Sequence, residues 1–138
     1  MIHSITVLTL WVAMLSIALA YIDYKKIIAD VIISKEDKVK RGGIVLMINL
    51  AMAFILYSVY EANIIIIAVY SQVMYWASFD MSLNLFRGKS IFYTSNNNRD
   101  DNDSAFDKAF NWIPYPYSGI AQLLFKIILL TLCVINLL

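Results

Sequence analysis

The stretch "IVLMINLAMAFILYSVYEANIIIIAVYSQVMYWASF", residues 44–79, decides the fold of this chain. Its one charged residue is Glu61, set between apolar runs at 44–60 and 62–79. A helix needs about 20 apolar residues to cross about 30 Å of hydrocarbon, with a lower bound near 17. Both runs are long enough. With little more than Glu61 between them, they predict a tight hairpin of two antiparallel, adjacent membrane helices. Tyr57, Tyr60 and Glu61 mark its interfacial tip. Both runs are rich in β-branched residues, yet lipid offers the backbone no hydrogen-bond partner. At these lengths helices are expected rather than barrel strands.

Two further runs extend the pattern outward. Residues 4–22 carry no charge, and residues 118–138 carry one lysine. The predicted fold class is therefore all-α: a polytopic membrane protein with four transmembrane helices in a single membrane domain, 1–138. Composition agrees. The chain of 138 residues is 61% hydrophobic and only 15% charged, with a mean hydropathy of +0.70. An ordinary soluble domain is about half apolar and about a quarter charged.

The same inventory narrows the chemistry. A net charge of +1 gives no basis for a nucleic-acid partner. Cys133 is the only cysteine and His3 the only histidine. No intrachain disulfide, zinc ligand set or histidine relay can be assembled from them, and no cofactor motif is present. The run "DDND" at 100–103 suggests calcium, but an EF-hand loop needs a glycine at its sixth position and a glutamate at its twelfth. Neither is present counting from Asp101 or Asp103. A solvated acidic loop is the reading kept.

Basic residues set the expected orientation. Segment 23–43 holds Lys25, Lys26, Lys35, Lys38, Lys40 and Arg41, and segment 80–117 holds Arg87, Lys89, Arg99 and Lys108. The hairpin tip and both tails hold none. The positive-inside rule places these two segments in the cytoplasm and both termini outside. "ALA" at 18–20 offers a signal-peptidase-like site. The missing basic n-region, the long apolar run and the six basic residues that follow favour a retained span instead.

In the first cytoplasmic segment, Ile27, Ile28, Val31 and Ile32 recur at helical spacing, so the first helix is expected to continue past the bilayer or along its surface. The cluster from Lys35 to Arg41 then meets anionic headgroups, and Gly42 and Gly43 punctuate the chain before the second span. In the second segment, residues 96–104 read as loop and 105–112 as a short interfacial helix capped by Asp103 or Ser104. Pro114 and Pro116 separate it from the last span. Trp112, Tyr115 and Tyr117 form an aromatic belt at re-entry.

Polar residues inside spans are functional candidates by default. Lys126 lies well within the last run, and Ser118, Gln122 and Lys126 recur every fourth residue on one helix face. Lys126 either snorkels to the surface or meets Gln72, Ser71, Asn49, Asp80 or Asp23. Asp80, Asn84 and Arg87 form a second face where the third helix leaves lipid, ending at Gly88. On that face Asn84 is placed to bond both charged neighbours. The structural reading of this cluster, with Asp23 nearby, is a pin for helix ends; the functional reading is a docking or conduction site.

The order of Phe79, Asp80, Leu83, Asn84, Arg87, Gly88, Phe92, Tyr93, Thr94 and Ser95, with "DYKK" at 23–26, resembles a pattern in small multi-pass membrane proteins encoded by phages and prophages of Bacteroidota. The resemblance covers about half of the chain. It implies a phage setting and a shared architecture, and names no reaction. Here a long Asn- and Asp-rich loop stands where that group has a short turn.

Together these readings lead to an integral membrane protein of structural, assembly or holin-like type. Its expected partners are the lipid bilayer, further copies of itself, or other membrane or virion proteins. Its expected location is a bacterial inner membrane or a virion membrane. The alternatives are a small channel or transport element around Lys126 and, least supported, an interfacial enzyme using Asp80, Asp23 and Arg87. No nucleophile with a base is in sight, so no catalytic role is assigned.

Overall fold

The structure, a computed structural model, describes residues 2–29, 31, 35–60, 63–93, 110, 112–114 and 117–137. Among these it contains four helices and no strand: α1 (Ile2–Ile28), α2 (Lys35–Tyr60), α3 (Ile64–Phe86) and α4 (Tyr117–Leu137). Each is long and apolar enough to cross a membrane. The all-helical, four-span architecture is as expected from sequence.

Helix α3 is the axis of the fold. It packs against each of the other three helices, whereas α4, among the described residues, rests on α3 alone. The directions follow from individual contacts. Thr9 meets Tyr70 and Tyr21 meets Phe86, so α1 and α3 run parallel. Arg41 lies over Phe79 while Asn49 bonds Gln72, so α2 runs antiparallel to α3. This is the relation the hairpin requires. Gly119 abuts Phe92 while Lys126 reaches Asp80, so α4 is antiparallel to α3 as well.

Each outer helix turns a narrow stripe inward. On α1 it is Leu8, Val12, Ser16, Ala20 and Asp23; on α2 it is Val45, Asn49 and Ala53. These positions recur every three or four residues, the repeat of one helix face. Apart from Leu8, Val12 and Val45 they are small or polar, whereas the outward positions include large apolar residues such as Leu10, Met14, Met47 and Phe54. In lipid there is no hydrophobic gain in turning a leucine inward, so close backbone approach and polar contacts decide which face packs. Hydroxyls on these stripes are satisfied locally. Thr9 donates to the Ile5 carbonyl at 2.7 Å and lies 2.6 Å from the Tyr70 hydroxyl. Having one proton, Thr9 must then receive Tyr70's.

Two boundaries differ from expectation. Gly42 and Gly43 do not punctuate the chain: α2 starts at Lys35 and runs straight through them. Nothing lies within 4 Å of either missing Cβ, and glycine in a membrane helix keeps its backbone hydrogen bonds inside the helix. The third span starts at Ile64 rather than at 62, because the Asn63 side chain caps it by accepting from the N–H groups of Ile65 and Ile66. The first helix runs on to Ile28, beyond the apolar run, as the helical spacing of Ile27 and Ile28 predicts. The helix expected at 105–112 lies outside the described residues except for Phe110 and Trp112; the Phe110 ring sits 6.2 Å from that of Phe125.

After α3 the chain reverses sharply. Arg87 is the C-cap, and Gly88 takes φ 65°, a left-handed conformation that favours glycine. The following turn brings the Phe92 carbonyl against α4 at Gly119. A Cβ there would sit 1.8 Å from the carbonyl oxygen and 2.7 Å from its carbon. That contact is backbone against backbone, so nothing can swing aside. Gly119→Ala is expected to destabilise the fold by about 1–3 kcal/mol, the usual range for forced overpacking. Gly43→Ala, in open space on a helix, is expected to be neutral or to stabilise by up to about 1 kcal/mol. Thermal unfolding of both variants in mild detergent checks the contrast.

Candidate functional site: a charge quartet contributed by four helices

One end of the bundle gathers the C-terminal ends of α1 and α3 and the N-terminal ends of α2 and α4. Every helix places one charged side chain in the packed layer just below this end. Asp23 of α1 pairs with Arg41 of α2. Asp80 of α3 accepts from the Lys126 ammonium of α4 at 2.6 Å. A single charge at the centre of a membrane helix costs about 2.5–3.5 kcal/mol on insertion scales, so a charge there is expected to face a partner within the bundle.

Aromatic rings on α3 complete the setting. The Arg41 guanidinium lies 4.8 Å from the Phe79 ring centroid, and the Lys126 ammonium lies 4.1 Å from that of Trp76. Such stacking gains strength where water is scarce. Tyr75, buried one turn before Phe79, lies in the electrostatic reach of Arg41, Asp23 and Asp80. Tyr75 is thus close enough to both ion pairs to feel their charges. Its ring also tilts against Phe79 at 5.7 Å.

Lys126 is the deepest of the four. It lies nine residues from the start of α4, or about 13 Å at 1.5 Å per residue. Its side chain is 5% exposed, whereas that of Asp80 is 40% exposed. The lysine therefore does not snorkel to open surface. It reaches to a carboxylate that is itself partly open at the edge of the bundle. Below the end of the bundle, Ser118, Gln122 and Lys126 all fall on the buried face of α4, a polar ladder leading to the pair.

The candidates named from sequence divide into three groups. Asp80 and Lys126 come together, as do Asn49 and Gln72, whose side chains bond at 3.3 Å. Asn49 Oδ1 is buried and has no partner among the described residues. Asp23 joins Arg41 rather than Lys126. Arg41 was counted with the loop charges, and the early start of α2 turns it inward. Asn84 is engaged outside the Asp80–Asn84–Arg87 face: it is buried, and its amide donates to the Tyr93 carbonyl at 2.9 Å. That bond ties the turn at 87–93 back onto α3. Arg87 is exposed, its guanidinium 5.7 Å from the Tyr93 ring centroid. Sequence reasoning missed Arg41, Trp76, Tyr75 and Gly119. Arg41 was signalled by its place four residues before Val45 and eight before Asn49, on the inward stripe of α2.

Compared with known proteins, the chain matches no family model, no curated protein and no solved structure.

Breaking a buried pair by removing one partner leaves an uncompensated charge, typically a cost of 3–5 kcal/mol. Asp23→Asn and Arg41→Met are each expected to approach that range, because Asp23 is almost fully buried. For Asp80→Asn and Lys126→Met the expectation falls to about 1–3 kcal/mol, discounted for the exposure of Asp80. The double change Asp80→Asn with Lys126→Met is expected to cost less than the sum of its parts. A double-mutant cycle read by unfolding in mixed micelles checks this; strict additivity would show that the pair does not interact.

Proposed function

We propose that this protein is a structural or assembly component of a membrane, of holin-like type, that acts through helix association in the bilayer. The observation that carries the reading is the use made of the intramembrane charges. Asp23, Arg41, Asp80 and Lys126 each hold one helix to another. The two carboxylates an interfacial enzyme would need are thereby engaged. Outward faces such as Phe54, Ile65, Ile128 and Ile135 are apolar and suited to lipid or to a further copy of the chain. The phage setting rests on the sequence resemblance carried by Phe79, Asp80, Asn84, Arg87 and the aromatic turn that follows. Homo-oligomers or other membrane or virion proteins are the partners this reading calls for.

A second reading, a small channel or transport element, is favoured by one feature: the buried ladder of Ser118, Gln122 and Lys126 that ends at Asp80. Conduction along it requires the ion pair to open. One experiment separates the two. The protein is reconstituted, its native mass is measured in nanodiscs, and ion flux is followed in liposomes beside Lys126→Met. Assembly predicts particles of more than one copy, with any flux unchanged by the substitution. Flux that Lys126→Met abolishes establishes the transport reading. A strictly monomeric particle without effect on membrane integrity removes the assembly reading.

The proposed orientation puts the basic end in the cytoplasm of a bacterial inner membrane, or in the equivalent compartment of a virion membrane. Alkaline phosphatase fused after Leu138 is expected to be active, and the same enzyme fused within segment 94–109 inactive. The reverse pattern inverts the topology.

A further inference from the structure

Two parallel helices, α1 and α3, end side by side at the basic end, and their last turns are joined by rings. Tyr21 and Tyr24 of α1 both contact Phe86 of α3, with centroids 5.6 Å and 5.8 Å apart. Tyr21 also meets Tyr24 at 6.3 Å. Immediately beyond Phe86, the turn at 87–93 presents Tyr93. Three cations lie on this aromatic ledge. Lys25 is 5.5 Å from the Tyr21 centroid, Arg87 is 5.7 Å from that of Tyr93, and Lys89 is 3.6 Å from the same ring.

These cations differ from those of the quartet. Asp23 and Asp80 are already neutralised by Arg41 and Lys126, and Glu36 by Lys40 at 2.7 Å. Among the described residues, no carboxylate forms an ion pair with Lys25, Arg87 or Lys89. The dipole of α1 explains Lys25 and Lys26 in its last turn. The dipole of α3 likewise favours Arg87 at its C-cap and Lys89 just beyond, and the Asn84–Tyr93 bond and the reversal at Gly88 gather both over one ring.

We propose that this ledge is a docking surface for the headgroups of anionic phospholipids in the leaflet at the basic end. Charge complementarity and depth select the occupant. Among the described residues no carboxylate pairs with these cations, and they sit where α1 and α3 end. Their rings belong to the headgroup zone, where tyrosine is at home. A phosphate diester can be met by Arg87 and Lys89 from the turn and by Lys25 from α1. Bound there, a lipid bridges the ends of α1 and α3, which the ion pairs of the quartet, α1 with α2 and α3 with α4, do not join directly.

The test uses the full chain in mild detergent, with bound lipid counted by native mass spectrometry from an equal mixture of phosphatidylglycerol and phosphatidylcholine. The parent is expected to retain phosphatidylglycerol preferentially. The preference should fall by about fivefold for each of Lys25→Gln, Arg87→Gln and Lys89→Gln, the effect of one basic charge near a surface. It should also weaken at high salt. Lys40→Gln, which removes an exposed cation already paired with Glu36, should leave it unchanged. Equal retention of the two lipids by the parent overturns the proposal. So does a preference that survives the triple substitution, or one that Lys40→Gln reduces as much as Arg87→Gln does. A parent preference that appears only after Asp100, Asp101 and Asp103 are changed to Asn also overturns it, because the ledge is then occupied by the chain's own acidic segment. Circular dichroism confirms that each variant stays helical.

Discussion

A charge inside a hydrocarbon layer must find an opposite charge, and much of this bundle is arranged to meet that requirement. The pair Asp23–Arg41 fixes the height of α1 against α2, the pair Asp80–Lys126 that of α3 against α4, and the Asn49–Gln72 and Thr9–Tyr70 contacts set one pair of helices against the other. Apolar contacts alone would not, because a leucine slid by one turn in lipid finds surroundings of the same kind. A charge slid by one turn loses its partner. The quartet therefore supplies register, and the small residues Ser16, Ala20 and Ala53 supply proximity. Net stabilisation by such pairs is modest once desolvation is counted; their better-attested contribution is specificity.

Helix α3 makes this arrangement workable. Among the described residues it alone touches the other three helices, and it brings the rings that line the charged layer: Tyr75, Trp76 and Phe79. Because a central helix packs on several sides, its buried positions, such as Tyr70, Ser71, Val73, Tyr75 and Ala77, crowd around the axis instead of forming one stripe. Its end is tied down twice, through Asn84 to the Tyr93 carbonyl and through the Phe92 carbonyl to Gly119. The reversal at Gly88 lets both ties form.

The fold class was legible because hydrocarbon imposes a length and an apolarity that few other environments demand. Residues 44–79, with one charge at Glu61, could hardly be read otherwise. The inward faces were harder to read. Leu8 and Leu10 are equally apolar, yet one is buried and the other faces outward. Only the small and polar residues on each helix carried that information, which is why Gln122, Lys126, Asn49 and Gln72 could be named and the apolar core could not. Arg41 was misplaced for a specific reason. Basic residues beside a span report sidedness, and that statistical meaning hid its structural one. Gly119 gave no signal at all, since its role is set by a carbonyl from a turn 27 residues earlier.

The pairing also follows the order of the chain. Asp23 belongs to the first span and its partner to the second; Asp80 belongs to the third and its partner to the fourth. The chain can thus enter the bilayer two helices at a time, and each pair of spans carries opposite charges at matching height. The α1–α2 seam is otherwise sparse, since both helices lean on α3, and the Asp23–Arg41 bridge is a principal link across it. The Asn49–Gln72 bond then joins the first pair of helices to the second near mid-bilayer. Because each helix presents its polar group to the helix next to it in sequence, the membrane never has to hold two separated charges for longer than one span takes to follow another. That sequence-local compensation allows a chain with so little polar surface to specify one arrangement of its helices.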